Sequence, residues 1–389
     1  MEAGTGRLHA LDALRGAMML LGLVLHAGAS YTLRPVGDDW PYQDLQISPV
    51  FDVLLYVIHL FRMPAFFAVA GFFAALLYAR DGAAGMARNR AKRVLLPLVI
   101  FWAAVGPLIL GGFYFAITRG GRMPGDELLA QAAAAFRLSE LSPMHLWFLW
   151  YLVLYYATAL ALLRVIDNRS VRAETAARLT TSWWSLPLWA GVTTLTLLPM
   201  RHPGIEASPL LFPDPRPVIA YAVFFAFGWV LYRGRAELQR LTMWWSWRLP
   251  AAMLPVVAAG YIGIRMFSGD ARVVHILGCV LVGALTWALV LASFAGFLRY
   301  VRRGHPAVRY AADASYWMYI VHLPVVIWTA GLLARAPLHV SVKFAIVLAV
   351  TTAVSGLTYQ AFVRRTWIGA LLNGRRAPEA RSASGIELV

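Results

Sequence analysis

The sequence predicts an all-α polytopic membrane protein, with about ten transmembrane helices and both termini in the cytoplasm. Three observations carry this. Apolar runs of about twenty residues, each long enough to cross a hydrocarbon core, recur along the whole chain. Of the 389 residues, 60% are hydrophobic and only 14% charged, where soluble domains carry about 25% charged residues. The basic residues also follow the runs with a sidedness. The runs fall near 9–32, 49–79, 94–117, 145–166, 184–200, 217–232, 249–267, 273–298, 308–333 and 338–362. With the N-terminus inside, 24 of the 35 Lys and Arg lie in cytoplasmic segments and 10 in outer ones, with Arg62 inside a span. That is the positive-inside pattern of a multi-pass protein of the cytoplasmic (inner) membrane. It accounts for the formal charge of +16, so no nucleic-acid partner is expected.

Residues 1–373 read as a single membrane domain, and 374–389 as a polar, basic cytoplasmic tail without fixed structure. The first apolar run is too long for a signal-peptide core and is expected to be retained. The longest outer loop, 118–144, contains GDELLAQAAAAFRLSEL, which predicts a surface helix. Trp and Tyr gather near span ends, where they anchor at the interface. Cys279 is the single cysteine, so a disulfide within the chain is excluded. There is no phosphate-binding glycine loop and no metal-ligand spacing, so neither a metal nor a permanently bound cofactor is expected.

Polar groups inside the spans are the informative residues, because they are costly there and usually face a protein interior or a watery cavity. In the first span, Asp12, Arg15 and His26 share one stripe, since eleven residues at about 100° each bring Arg15 and His26 within roughly 20°. In the second, Asp52, His59 and Arg62 share an arc, and Pro64 bends the helix just beyond them. Arg62 cannot lose its proton and so needs a partner. Before the third span, RNRAKR places Arg90 and Arg93 on one face at the cytoplasmic boundary. Such a pair serves as a membrane anchor or as a phosphate site, because guanidinium forks match phosphate oxygens. His145 opens the fourth span among aromatics. The ninth carries Asp313, Ser315, Tyr316, Tyr319 and His322 ahead of Pro324.

Arg15 and His26 also fit an R-x10-H pattern, and Arg90 to Arg93 fits R-x-x-R. With FRMPAFFAVAGFF, HLWFLWYLVLYY and SYWMYIVHLPVVI in the same order, the chain resembles the membrane acyltransferase type 3 family. It is most similar to the glucan-modifying branch, the glucans biosynthesis protein C type, which includes glucan succinyltransferases. The resemblance implies about ten helices and a cytoplasmic acyl-CoA donor, succinyl-CoA or acetyl-CoA, as co-substrate. It also implies an extracytoplasmic glycan hydroxyl as acceptor. His26 would be the catalyst, and Arg90 and Arg93 would handle the donor with Arg15. Many members have an acidic residue near the end of the last span, where this chain has Gln360.

Acyl transfer to an alcohol needs a base, which an imidazole can supply near neutral pH. The expected catalytic set is therefore His26 as base, Asp52 as its orienting carboxylate, and Arg62 or the imidazole of His322 to stabilise the oxyanion. Asp38, Asp39 and Trp40 in the first outer loop, with His145, are the expected acceptor-binding residues. The rival reading is a transporter, whose substrate path the polar stripe and proline kinks would suit. The absence of detectable internal repeats counts against it.

Overall fold

The computed structural model describes residues 2–36, 40–120, 141–165, 172–249, 251–253, 255, 271–301 and 305–373, with residues 2–8 placed by backbone alone. The described residues are all-helical. The helices are α1 (Glu2–Ala29), α2 (Pro49–Arg90), α3 (Leu96–Gly120), α4 (Trp147–Leu162), α5 (Ala173–Thr181) and α6 (Ser185–Leu197). They continue with α7 (Pro215–Arg233), α8 (Leu241–Trp244), α9 (Ala271–Tyr300), α10 (Pro306–Leu333), α11 (Val340–Thr358) and α12 (Trp367–Asn373). Seven helical stretches among them are long and apolar enough to cross a membrane. One of the seven runs continuously over Pro49–Gly120, 72 residues. At about 1.5 Å per residue it is several times longer than a ~30 Å hydrocarbon core, so it holds two of the predicted spans. The break falls at Gly82, whose φ of 68° and ψ of −174° interrupt α2 in a region other residues rarely adopt. At 13 residues, α6 is shorter than the predicted span at 184–200. Most of the 249–267 span and of the 118–144 loop, all of the 374–389 tail, and Asp38 and Asp39 lie outside the described residues.

Helix starts follow from local sequence. Ser48 precedes Pro49 and accepts a hydrogen bond from the Val50 amide; Asp214 does the same for Arg216 ahead of α7. Each combines a polar cap with proline in the first turn. The Asp214 carboxyl, bonded to the Arg216 side chain and amide, is held below its ordinary pKa.

α1 is central, packed against α2, α9, α10 and α11. Two glycines let α2 and α7 cross with their backbones touching. A Cβ at Gly71 would lie 2.0 Å from the Phe225 carbonyl oxygen, and one at Gly228 would lie 1.8 Å from that of Ala68. Small residues at a crossing are how membrane helices gain packing where lipid offers no hydrophobic drive. Pro324 has no N–H to donate four residues back, which frees the Ile320 carbonyl. That carbonyl accepts from His145 Nε2 at 3.0 Å.

Candidate active site

α1 and α10 pack side by side, and this sets His26 against His322. Nδ1 of His26 lies 2.8 Å from Nε2 of His322, and Nδ1 of His322 lies 2.6 Å from the Tyr319 carbonyl oxygen. A carbonyl can only accept, so Nδ1 of His322 carries the proton and its Nε2, in the neutral ring, is an acceptor. Nδ1 of His26 must then donate, which leaves the lone pair on Nε2 of His26. The tautomers are assigned from the hydrogen-bond network. Two imidazoles 296 residues apart thus leave one basic lone pair, on Nε2 of His26.

His145 completes the cluster. It sits in a short 3-10 turn, Met144–Leu146, entered through a left-handed Met144 at φ 52°, an uncommon conformation for a residue other than glycine. Its ring stands edge-on to His322 at 5.4 Å, and the Tyr319 hydroxyl donates to its carbonyl at 2.5 Å. With Nε2 committed to Ile320, its Nδ1 is buried and has no hydrogen-bond partner among the described residues.

Arg62 approaches from α2. Its side chain is 7% exposed, and its Nε is likewise buried without a hydrogen-bond partner among the described residues. A Cβ at Gly22 would lie 2.3 Å from Nη1 of Arg62. A glycine one turn before His26 is therefore what admits the guanidinium to this level of α1. Gly22 is not among the residues expected from sequence; its place four residues before His26 on the polar stripe is the signal that marks it. Arg62 lies in electrostatic range of His26, Tyr319 and Tyr221.

The structure does not bring Asp52 to His26. Both of its carboxylate oxygens are taken by loop backbone, from the Leu33 amide at 2.7 Å and the Arg34 amide at 3.3 Å. The orienting group on Nδ1 of His26 is His322 instead. His59, expected on the same face, is committed to the Ile205 carbonyl at 3.1 Å. Trp40 is not presented to solvent as a sugar platform. It is buried and stacks on His26, with ring centroids 5.7 Å apart and planes 11° from parallel. His145, expected at the outer interface, is likewise buried.

At the other end of α1, Arg15 pairs with Asp12 at 2.8 Å. Arg90 donates to the Phe73 carbonyl at 3.3 Å and lies 4.8 Å over the Tyr156 ring, a cation–π contact. Arg93 sits in a π-helical turn, Ala91–Leu95, whose carbonyl at Arg93 accepts from the Tyr316 hydroxyl at 2.8 Å. The charges of Arg90, Arg80 and Arg15 all act on Arg93. Such π-turns recur at functional sites. Three arginines from α1 and the α2–α3 junction thus converge, about 16 Å along α1 from His26 by helix rise.

Residues 8–360 match the family model described as an acyltransferase domain. The chain is similar to proteins named glucans biosynthesis protein C from Escherichia coli. It is 24% identical over 328 residues to that of strain SMS-3-5 and to that of strain K12, in each case covering 82% of both chains. With that of strain 536 it shares 23% identity over 324 residues, again 82% of each chain. No solved structure matches.

Proposed function

Because the chain belongs to the membrane acyltransferase type 3 family, whose acyltransferase domain its residues 8–360 match, we propose that it is an acyl-CoA-dependent O-acyltransferase of the cytoplasmic membrane. It transfers a succinyl or acetyl group from cytoplasmic acyl-CoA to a hydroxyl of a glucan or other glycan on the outer side. It is a multi-pass membrane protein and a transferase of acyl groups. The donor, the acceptor, the ten-span topology and the two cytoplasmic termini belong to the proposal. The single observation that carries the mechanism is the His26–His322–Tyr319 chain, which leaves a bare Nε2 on His26.

The acceptor hydroxyl gives its proton to Nε2 of His26 as its oxygen attacks the thioester carbonyl. The tetrahedral oxyanion forms near Arg62, whose buried guanidinium has no carboxylate partner among the described residues and can stabilise the new charge. Collapse breaks the C–S bond, and the imidazolium returns the proton to the departing thiolate. The products are an ester and free CoA thiol. Nδ1 of His145 is placed to accept a hydrogen bond from the acceptor. Asp38 and Asp39, next to Trp40 in sequence, add carboxylates for a sugar at the outer face. Arg15, Arg90 and Arg93 hold the phosphates of the donor, whose pantetheine arm is about as long as the distance to His26. The printed name of the relatives, glucans biosynthesis protein C, supports a glucan acceptor.

The test is purified protein in vesicles, given acyl-CoA with a radiolabelled acyl group and a glucan. Labelled ester should form with release of one thiol, and thiol release without ester would contradict the reading. A second expectation concerns the donor. Arg93→Ala should raise the KM for acyl-CoA about tenfold, the scale of one charge-assisted contact. The increase should be larger at low salt, where the contact is less screened. An unchanged KM in the Arg90→Ala/Arg93→Ala double variant would leave these arginines as membrane anchors only.

A further inference from the structure

The loop after α1 is built like a stopper. The carbonyls of the turn just beyond α1 are satisfied by this loop: the Ser30 oxygen accepts from the Asp44 amide at 2.8 Å, and the Tyr31 oxygen from the Ser48 amide at 2.9 Å. Trp40 lies over His26, donates from Nε1 to Ser30 Oγ at 3.0 Å and stands edge-on to Phe113 at 5.3 Å. Four residues on, Asp44 meets Lys343 of α11. Nζ of Lys343 lies 2.9 and 3.1 Å from the two carboxylate oxygens and 3.3 Å from the Ala334 carbonyl. The two side chains are 1% and 0% exposed. Asp44 also accepts from the Tyr42 hydroxyl and the Gln46 amide. Burial, and then the Asp44 charge, push the phenols of Tyr31 and Tyr42 above their ordinary pKa, so both stay neutral beside the pair.

A buried charge pair is not needed to hold an apolar loop, since well-packed hydrophobic residues of similar volume often do as well or better. What it provides is one defined seat, lost when either charge is lost. We infer that the Asp44–Lys343 pair latches the segment 40–48 as a plug over His26. Trp40 then decides whether the activated thioester meets a glycan hydroxyl or water. The inference rests on the acyltransferase reading given above. Its chemistry is a competition for one base. Water, like the acceptor, can give a proton to His26 and attack the thioester carbonyl; the C–S bond then breaks to a free acid and a thiol. A plug that excludes bulk water suppresses that route while a bound acceptor still reacts. Lys343, Asp44 and Ser30 act through Trp40 and are positioning residues.

The experiment uses full-length protein in membranes with two readouts. The first is independent of catalysis. In a Cys279→Ser background, a Ser30→Cys probe beneath Trp40 should react slowly with an impermeant thiol reagent. Adding Lys343→Met should speed labelling roughly 10²-fold, the scale of breaking a buried ion pair. The neutral pair Asp44→Asn/Lys343→Met removes the stranded charge but also the ion pair: labelling that stays fast ties the seat to the pair, and labelling back at the parent rate would show that the single variant only stranded a charge and would overturn the latch. The second readout is the ratio of acceptor-free acyl-CoA hydrolysis to acyl transfer. It should rise in Lys343→Met and in Trp40→Ala, and stay near the parent value in Trp40→Phe, which keeps a ring over His26. Equal labelling in all variants overturns the plug. Faster labelling with an unmoved hydrolysis ratio overturns its role in excluding water. The expected labelling pattern with no acyl turnover in any variant supports the plug and refutes the acyltransferase reading instead.

Discussion

His26→Ala should lower acyl transfer by about 10²- to 10⁴-fold, the range for loss of a positioned general base, while the protein remains inserted and folded. The ring keeps the lone pair on Nε2 available because its Nδ1 is committed to His322. His322→Ala should reproduce part of the loss, because Nδ1 of His26 would lose the acceptor 2.8 Å away that fixes its tautomer. The reading requires His26→Ala to spare donor binding, since Arg15, Arg90 and Arg93 lie at the other end of α1. Steady-state rates and acyl-CoA binding on the same preparation check both halves. Near-normal turnover in a correctly inserted His26→Ala protein would remove His26 from the mechanism.

Arg62→Met should separate function from stability. An oxyanion donor is worth roughly 10²- to 10³-fold in rate, so transfer should fall by that much with little change in donor KM. Stability should move the other way. Arg62 is 7% exposed with its Nε unsatisfied and no carboxylate partner among the described residues, and a buried charge without a counter-charge costs several kcal/mol. Methionine, of similar length and without charge, removes that cost, so thermal unfolding should shift upward. A purely structural Arg62, bracing helices, would show the opposite sign: a destabilised protein whose residual folded fraction turns over normally.

Much of this site can be read from helical periodicity, because periodicity is local. The angle between Arg15 and His26 follows from eleven residues of one helix, and the convergence of Arg90 with Arg93 follows from three. The caps at Ser48 and Asp214 are also local, as is the freeing of the Ile320 carbonyl by Pro324. What periodicity cannot supply is which helix faces which. Asp52 opens the second span on the side where the first span ends, but it is spent on the Leu33 and Arg34 amides. The partner of His26 comes from α10, 296 residues away. Asp44 and Lys343 lie 299 residues apart, with no local pattern that pairs them, yet they form the buried pair. Trp40 was expected to face a sugar because loop aromatics often do; its actual position depends on Asp44 and on the end of α1. Gly22 shows the same limit, since its role exists only once Arg62 of α2 lies against it.

In the proposed mechanism His26 joins a donor on one face of the membrane to an acceptor on the other. Proteoliposomes with uniformly oriented protein test it most directly. Labelled acyl-CoA is supplied only to the face that carries Arg90 and Arg93, and glucan only to the opposite face. Labelled ester should accumulate on the glucan side, reversing the two compartments should abolish it, and His26→Ala should lower it by about 10²-fold or more. Ester formed only when donor and acceptor share one compartment, or formed equally well without the His26 imidazole, would contradict it.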